Sequence, residues 1–223
     1  MQSFSTQAII LRRTNYGEAD RILSLITPDR GKLSAIAKGV RKSKSKLAGG
    51  LELFASSEVS ITEGKSNMGV ITAARLIRFY GKILHDYDRM QFGYQLIKTV
   101  SHAAETVAEP EFYYLLRDSF TYLDEPIIDY RLVELWFHLR LTAILGLALN
   151  LATAADSQPL SVAERYNFDF TDMVFVAHPT GRFSAQHIKL LRLANAKTPA
   201  VLRHISGIDI FLEDCLWLLR AID

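Results

Sequence analysis

The sequence is poorest in cysteine. Cys215 is the single one among 223 residues, so no internal disulfide can form and no cysteine-built zinc site can be assembled. Six prolines and 12 glycines are too few for a collagen-like or linker-dominated chain. Long apolar runs are missing too. The longest stretch without a charged residue is the 15 residues between Arg140 and Asp156, short of the about 20 that a membrane-spanning helix needs. At the start, the apolar run from Ala8 to Leu11 precedes the basic pair Arg12-Arg13, the reverse of a secretory signal. What is present is globular in composition, 49% hydrophobic and 22% charged, and long enough to bury a core without a metal or cofactor. The expectation is a cytoplasmic protein with no membrane partner.

The net charge of +2 hides an asymmetry. Residues 1–80 hold 13 Lys and Arg against 6 Asp and Glu, a net of +7. Residues 81–150 hold 6 against 10, a net of −4, and residues 151–223 hold 7 against 8, a net of −1. Between Asp29 and Glu52 there is no acid, but there are Arg30, Lys32, Lys38, Arg41, Lys42, Lys44 and Lys46. The segment from Lys38 to Lys46 has loop composition and no apolar period. A solvated charge run is one reading. A polyanion partner is the other, because crowded cations inside a small domain repel one another unless an anion relieves them.

Residues 4–80 read as strands: Gln7 to Arg13, Arg21 to Thr27, Lys32 to Lys38, Leu51 to Thr62 and Val70 to Phe79. Turn chemistry separates them at Pro28-Asp29-Arg30-Gly31 and Lys65-Ser66-Asn67-Met68-Gly69. Five short strands in so few residues predict a small barrel, of which the OB-fold is the one that most often grips nucleic acid strands. From His85 onward the period becomes helical, with Phe92, Leu96, Val100 and Ala104 at four-residue spacing. Glu109-Pro110-Glu111 predicts a second helix start. Leu132 to Leu151 predicts a central buried helix, and Ser184 and Thr198-Pro199 predict further helix starts. Phe211, Cys215, Leu218 and Ile222 form a last apolar stripe. The fold class is α+β, all-β then all-α: a five-stranded barrel over 1–80 and a helical domain over 81–223, with Met173 to Ala177 as one strand-like piece.

Chemical motifs are scarce. Gly64-Lys65-Ser66 matches the end of a phosphate-binding loop, but the first glycine would fall at Val59 in a strand. Asp86 and Asp88 read as helix-start acids, and His178 and His187 as surface histidines. Trp136, Phe137, Met173 and Phe211 read as core. No serine, histidine and aspartate fall in a recognisable catalytic order, so the expectation is a protein that is not an enzyme, without cofactor or metal.

An ordered set of short motifs resembles the RecO family of bacterial DNA-repair proteins: Ala8-Ile9-Ile10-Leu11-Arg12-Arg13, Tyr16-Gly17-Glu18-x-Asp20-x-Ile22, Thr27, Gly31-Lys32, Ala37-Lys38-Gly39-x-Arg41, Lys44-Ser45-Lys46-Leu47 and Gly50-Leu51. Farther on, Phe137-x-Leu139-Arg140-Leu141 with Leu145-Gly146 is similar to the helix that leads into the zinc region of many members. The resemblance implies an N-terminal OB-fold, a helical C-terminal domain and a nucleoid-associated recombination mediator. Such a mediator binds single- and double-stranded DNA, anneals complementary strands, and acts with RecR and RecF to load RecA onto DNA coated by single-strand-binding protein.

On that reading Arg30, Lys32, Lys38, Arg41, Lys42, Lys44 and Lys46 face phosphates and Tyr16 is a stacking platform, with Phe54 a second candidate or core. Arg140 and Phe137 would hold the C-terminal tail of single-strand-binding protein. Gly17, Gly31 and Gly39 would be turn positions, and Glu18 and Asp20 would fix the loop before the second strand. The segment 151–183 has no cysteine, so the zinc is not carried over; packing of Tyr166, Phe168, Phe170, Val174, Phe175 and Val176 would replace it. Two other readings stay open: an OB-fold RNA-binding module with helices for dimerisation, and a hydrolase built around Asp169, Asp172 and His178.

Overall fold

The computed structural model describes residues 2–63, 68–107, 109–161 and 164–222. Residues 64–67, which hold the Gly64-Lys65-Ser66 match and most of the turn expected at 65–69, lie outside them. Strands β1 (Ser3–Tyr16), β2 (Asp20–Thr27), β3 (Gly31–Ala37), β4 (Ala55–Thr62) and β5 (Gly69–Phe79) form a closed barrel in the order β1-β2-β3-β5-β4. All neighbours are antiparallel except β3 and β5, which run parallel for two residue pairs. The five expected strands are thus present, in an OB-type barrel. Leu51 to Phe54 does not join β4, because Phe54 sits at φ 55°, outside the strand region for a residue with a Cβ.

Long β1 serves two neighbours, its first half pairing with β4 and its second with β2. Ala8, Ile10, Leu23, Leu25, Ala35, Val59, Ile61 and Ile71 fill the barrel interior. Ile9, Leu11 and Ile26, on the opposite face by strand alternation, are buried as well. Helices α1 (Tyr87–Thr106) and α2 (Glu111–Leu123) supply their cover: both pack on β1, and Tyr113 Oη donates to Gln7 Oε1 at 2.9 Å. That double burial explains why Ala8 to Leu11 in β1 is an unbroken apolar run. Asp86 caps α1 by accepting the Arg89 N–H, as its sequence position predicted.

By packing, the chain divides into units Met1–Asp124 and Glu125–Asp223; α1 and α2 belong with the barrel, although the change from strand to helix comes at 80/81. In the second unit α3 (Tyr130–Ile144), α4 (Ala185–Ala196), α5 (Pro199–Leu202) and α6 (Asp209–Arg220) enclose Leu135, Leu139, Ile188, Leu191, Leu212, Cys215 and Leu216. Helix α3 stops seven residues before the expected end at Leu151. Gly146 takes φ +78°, its N–H bonds to Ala143 O at 3.1 Å, and the Leu147 N–H bonds to Thr142 O at 2.7 Å, the paired bonds of a Schellman stop.

This unit also carries a small sheet, where sequence suggested a single strand: β6 (Arg165–Asp169), β7 (Val174–Ala177) and β8 (Phe183–Ser184), in the order β7-β6-β8. Tyr166, Phe168, Phe175 and Phe183 point from it into the core. Phe170 and Val176, expected in that packing, are instead 39% and 40% exposed. No helix among the described residues is long and apolar enough to cross a membrane.

Candidate nucleic-acid interface

The loop between β3 and β4 is anchored at both ends and free in the middle. Val40 and Leu51 are buried in the barrel core, and Gly50 lies so close to β5 that a Cβ there would meet the Ala74 backbone at 2.9 Å. Between these anchors Arg41, Lys42, Lys44 and Lys46 are exposed, as is Lys38. The loop leans on the β1–β2 turn. Gly39 N–H donates to Asp20 Oδ1 at 2.7 Å, Arg41 N–H donates to Ala19 O at 2.9 Å, and the Arg41 guanidinium reaches Glu18 O at 3.2 Å. Gly17, Gly31 and Gly39 all adopt positive φ, the turn role expected of them, and Asp20 fixes the loop as expected. Tyr16, 56% exposed, stands at the tip of that same turn, so the structure gathers it with the lysine-rich loop.

Two of the expected cations lie elsewhere. Arg30 and Lys32 sit at the other end of β3, about 20 Å from Lys38 at roughly 3.3 Å per residue. Arg30 pairs with Glu63 at 2.8 Å and covers the Phe4 ring. Lys32 Nζ is occupied by Ser101 O, Ser101 Oγ and Glu105 Oε1 at 2.7–2.9 Å; its hydrogen bond and charge hold the Glu105 carboxyl below the usual range. Lys32 therefore ties β3 to α1 and has no donor left for a phosphate. Phe54 is core, 1% exposed, with its ring against Tyr94 and Phe120.

Partner assignments sort the barrel's cations, with Arg21 and Arg41 held by neutral oxygens of Asn15 and of Gly17 and Glu18. Arg13, Arg30, Lys32, Arg75 and Arg78 each have a carboxylate: Glu52, Glu63, Glu105, Glu58 and Asp124. Lys38, Lys42, Lys44 and Lys46 make no ion pair with any described residue, and neither does exposed Arg12. Sequence reasoning passed over Arg12, which strict alternation would set on the inward face with Ala8 and Ile10; the register shift between Ile10 and Arg12 leaves it exposed instead. Four unneutralised ammonium groups on an anchored loop beside an exposed aromatic ring can neutralise a chain of phosphates and stack a base.

The second unit holds the other expected residues. Phe137 is 1% exposed and belongs to the interior, so it cannot touch a partner. Arg140 donates to Asn195 O at 2.9 Å and lies 5.8 Å from the Trp136 ring. The acid Glu134 is taken by Arg220, at 2.6 and 2.9 Å.

The residues of the hydrolase reading serve turns. Asp169 Oδ1 accepts the N–H groups of Thr171 and Asp172, His178 Nδ1 accepts that of Thr180, and the β6–β7 hairpin sets Asp169 and His178 at opposite ends, about 13 Å apart. His187 is not on the surface but 6% exposed. Its Nδ1 accepts the Ser184 N–H at 3.0 Å, completing the α4 capping box, and Nε2 faces Asp214 at 3.2 Å. Burial pushes its pKa down, and the Asp214 acceptor only partly opposes this. Cys215, the lone thiol, is buried in the core and pushed up in pKa by that burial. With no other thiol in the chain, the second unit does not fit a thiolate-held zinc.

Residues 1–80 match the family model described as Recombination protein O N terminal. A protein of Dehalococcoides mccartyi named DNA repair protein RecO is 42% identical over 122 residues, 54% of this chain and 48% of its own. One of the same name from Heliobacterium modesticaldum is 33% identical over 165 residues, 74% of this chain and 59% of its own. A third, from Bifidobacterium longum, is 36% identical over 119 residues, 52% and 49% of the two chains. The chain spans about half the length of the curated relatives it matches. With an OB-type barrel at its start and this similarity running on into the helices, the chain belongs to the RecO family.

Proposed function

We propose that this chain is a recombination mediator in DNA repair that works by binding rather than by catalysis. The relatives' name, DNA repair protein RecO, supports the repair role. The observation that carries the mechanism is the unpaired set Lys38, Lys42, Lys44 and Lys46 on its anchored loop beside Tyr16. Those ammonium groups bind the backbone of single- or double-stranded DNA without reading sequence, and counterion release drives the binding. Neutralising phosphates on two complementary strands lowers their mutual repulsion, which is the physical basis for annealing. The second unit engages proteins, namely RecR, RecF, RecA and the acidic tail of single-strand-binding protein, with Arg140 as the reachable cation for that tail.

The test is a salt series on single-strand affinity. Four phosphate contacts at about −0.7 each give a log K against log salt slope near −3. Replacing Lys38, Lys42, Lys44 and Lys46 by Ala should remove about that slope while leaving the melting temperature in place, since all four are exposed. An unchanged slope in the folded quadruple variant returns the loop to a solvated charge run. Matched RNA as competitor separates this reading from an RNA-binding module.

A further inference from the structure

Of the nine arginines in the first unit, Arg12 alone has no hydrogen bond or ion pair among the described residues. Each of the others is held by a carboxylate, amide or backbone oxygen. Arg12 is exposed, and its guanidinium keeps all five donors free of protein partners. The register shift between Ile10 and Arg12 is what turns it outward, the re-aiming that bulges perform at the rims of barrels and beside sites.

Strand pairing places it relative to the loop. From Arg12 to Tyr16 the ladder with β2 runs without a further shift, so Arg12, Thr14 and Tyr16 share one face. Arg12 is opposite Ser24 and Ser24 opposite Ser34, while Thr14 is opposite Ile22 and Ile22 opposite Ile36. Leu23, Leu25, Ala35 and Ala37 fill the interior, so both rows lie on the outside of the barrel. Neither row holds an acid. Asp20, opposite Tyr16, is the nearest one, and its Oδ1 is taken by the Gly39 N–H. Tyr16 and Arg12 therefore stand about 13 Å apart at roughly 3.3 Å per residue, with serine, threonine and half-buried isoleucine between them. The open face ends at Arg12. In the next outward row Ile9 and Ile26 are buried, and Lys32, opposite Ile26, is bonded to α1.

We infer that a single strand held by the loop lysines passes Tyr16, crosses the outward face of β1, β2 and β3, and gives a phosphate to Arg12 at the far side. This rests on the loop being the DNA site proposed above. Ile22 and Ile36 offer apolar contact to unstacked bases on the way, and a free guanidinium can grip a phosphate at two points. The path is thus bounded by cations at both ends and carries no unneutralised acid between them.

Fluorescence anisotropy of the full chain with a labelled dT oligonucleotide of about 16 residues, the upper size for one OB-fold, tests the path. Arg12→Ala should weaken binding several-fold and flatten the log K against log salt slope by about 0.7, one phosphate contact. Arg12→Lys should restore the slope. Ser34→Asp, which sets an acid in the row of Arg12, should also weaken binding, whereas Lys98→Ala, an exposed cation on α1, should not. Arg12 and Ser34 are exposed, so melting temperatures should stay in place. If the quadruple lysine variant loses its slope while Arg12→Ala and Ser34→Asp bind like the parent, the path is overturned and the loop stands. If Lys98→Ala costs as much as Arg12→Ala, general charge is at work and the path is again overturned. If the quadruple variant itself binds like the parent, loop and path fall together.

Discussion

The Gly39 amide donates to the Asp20 carboxylate at 2.7 Å, joining the turn that carries Tyr16 to the loop that carries the lysines. Asp20→Ala removes this acceptor and should cost about 1–3 kcal/mol, read as a lower urea midpoint at constant m-value. It also adds a unit of positive charge to the site. If the bond orients the loop, single-strand affinity should nevertheless fall; a rise would mean that charge alone matters.

Tyr16 separates stacking from charge. Its ring is 56% exposed, and base stacking on an aromatic ring is worth about 1–3 kcal/mol. Tyr16→Ala should weaken single-strand binding about 5- to 150-fold, leave the salt slope intact and spare duplex binding, whose bases are already stacked. Equal losses on both substrates in a filter-binding assay would remove Tyr16 from the site.

His187 should make the second unit sensitive to acid. Its folded pKa lies below the unfolded value of 6.5, chiefly because of burial. The unfolded chain therefore binds the proton first, and the stability present above pH 6.5 is lost as pH falls below it, by at most about 1.4 kcal/mol per pH unit. His187→Gln keeps a capping-box acceptor for the Ser184 N–H without titrating. Melting temperatures measured between pH 7.5 and 5 should fall less steeply in this variant than in the parent chain.

Glu134, 6% exposed, is held by a two-point bridge from Arg220. Removing the arginine strands a buried carboxylate, so Arg220→Ala should cost about 2–4 kcal/mol. Adding Glu134→Gln should recover part of that loss, because a neutral amide tolerates burial better. Chemical denaturation of the single and double variants gives the coupling directly.

The barrel was legible because its signals are local: β-rich segments and turn residues at Pro28 to Gly31. What was missed depended on distant partners or on short elements. Lys32 reads as one more cation of a basic run until α1 brings Glu105 beside it, 73 residues away. The apolar composition after Leu139 continues past the true end of α3, which Gly146 and its reversed backbone impose. β8 has only two residues, too few for any period, and His187 was placed outside because, although Ser184 at the helix start is local to it, Asp214 on another helix is not. The loop lysines were readable as a run; that they lack carboxylates while Arg30 and Lys32 have them was not.

Burial of β1 and β2 on both faces bears on where this protein can be cut. A fragment ending at residue 80, where the family match ends, would uncover Ile9, Leu11 and Ile26, at about 1.5–3 kcal/mol for each large side chain, and would lose the α1 acceptors of Lys32. Domain boundaries drawn by sequence similarity and by foldability differ here by more than 40 residues, and Asp124 is where packing sets the second. Work on the isolated DNA-facing part should therefore keep both helices.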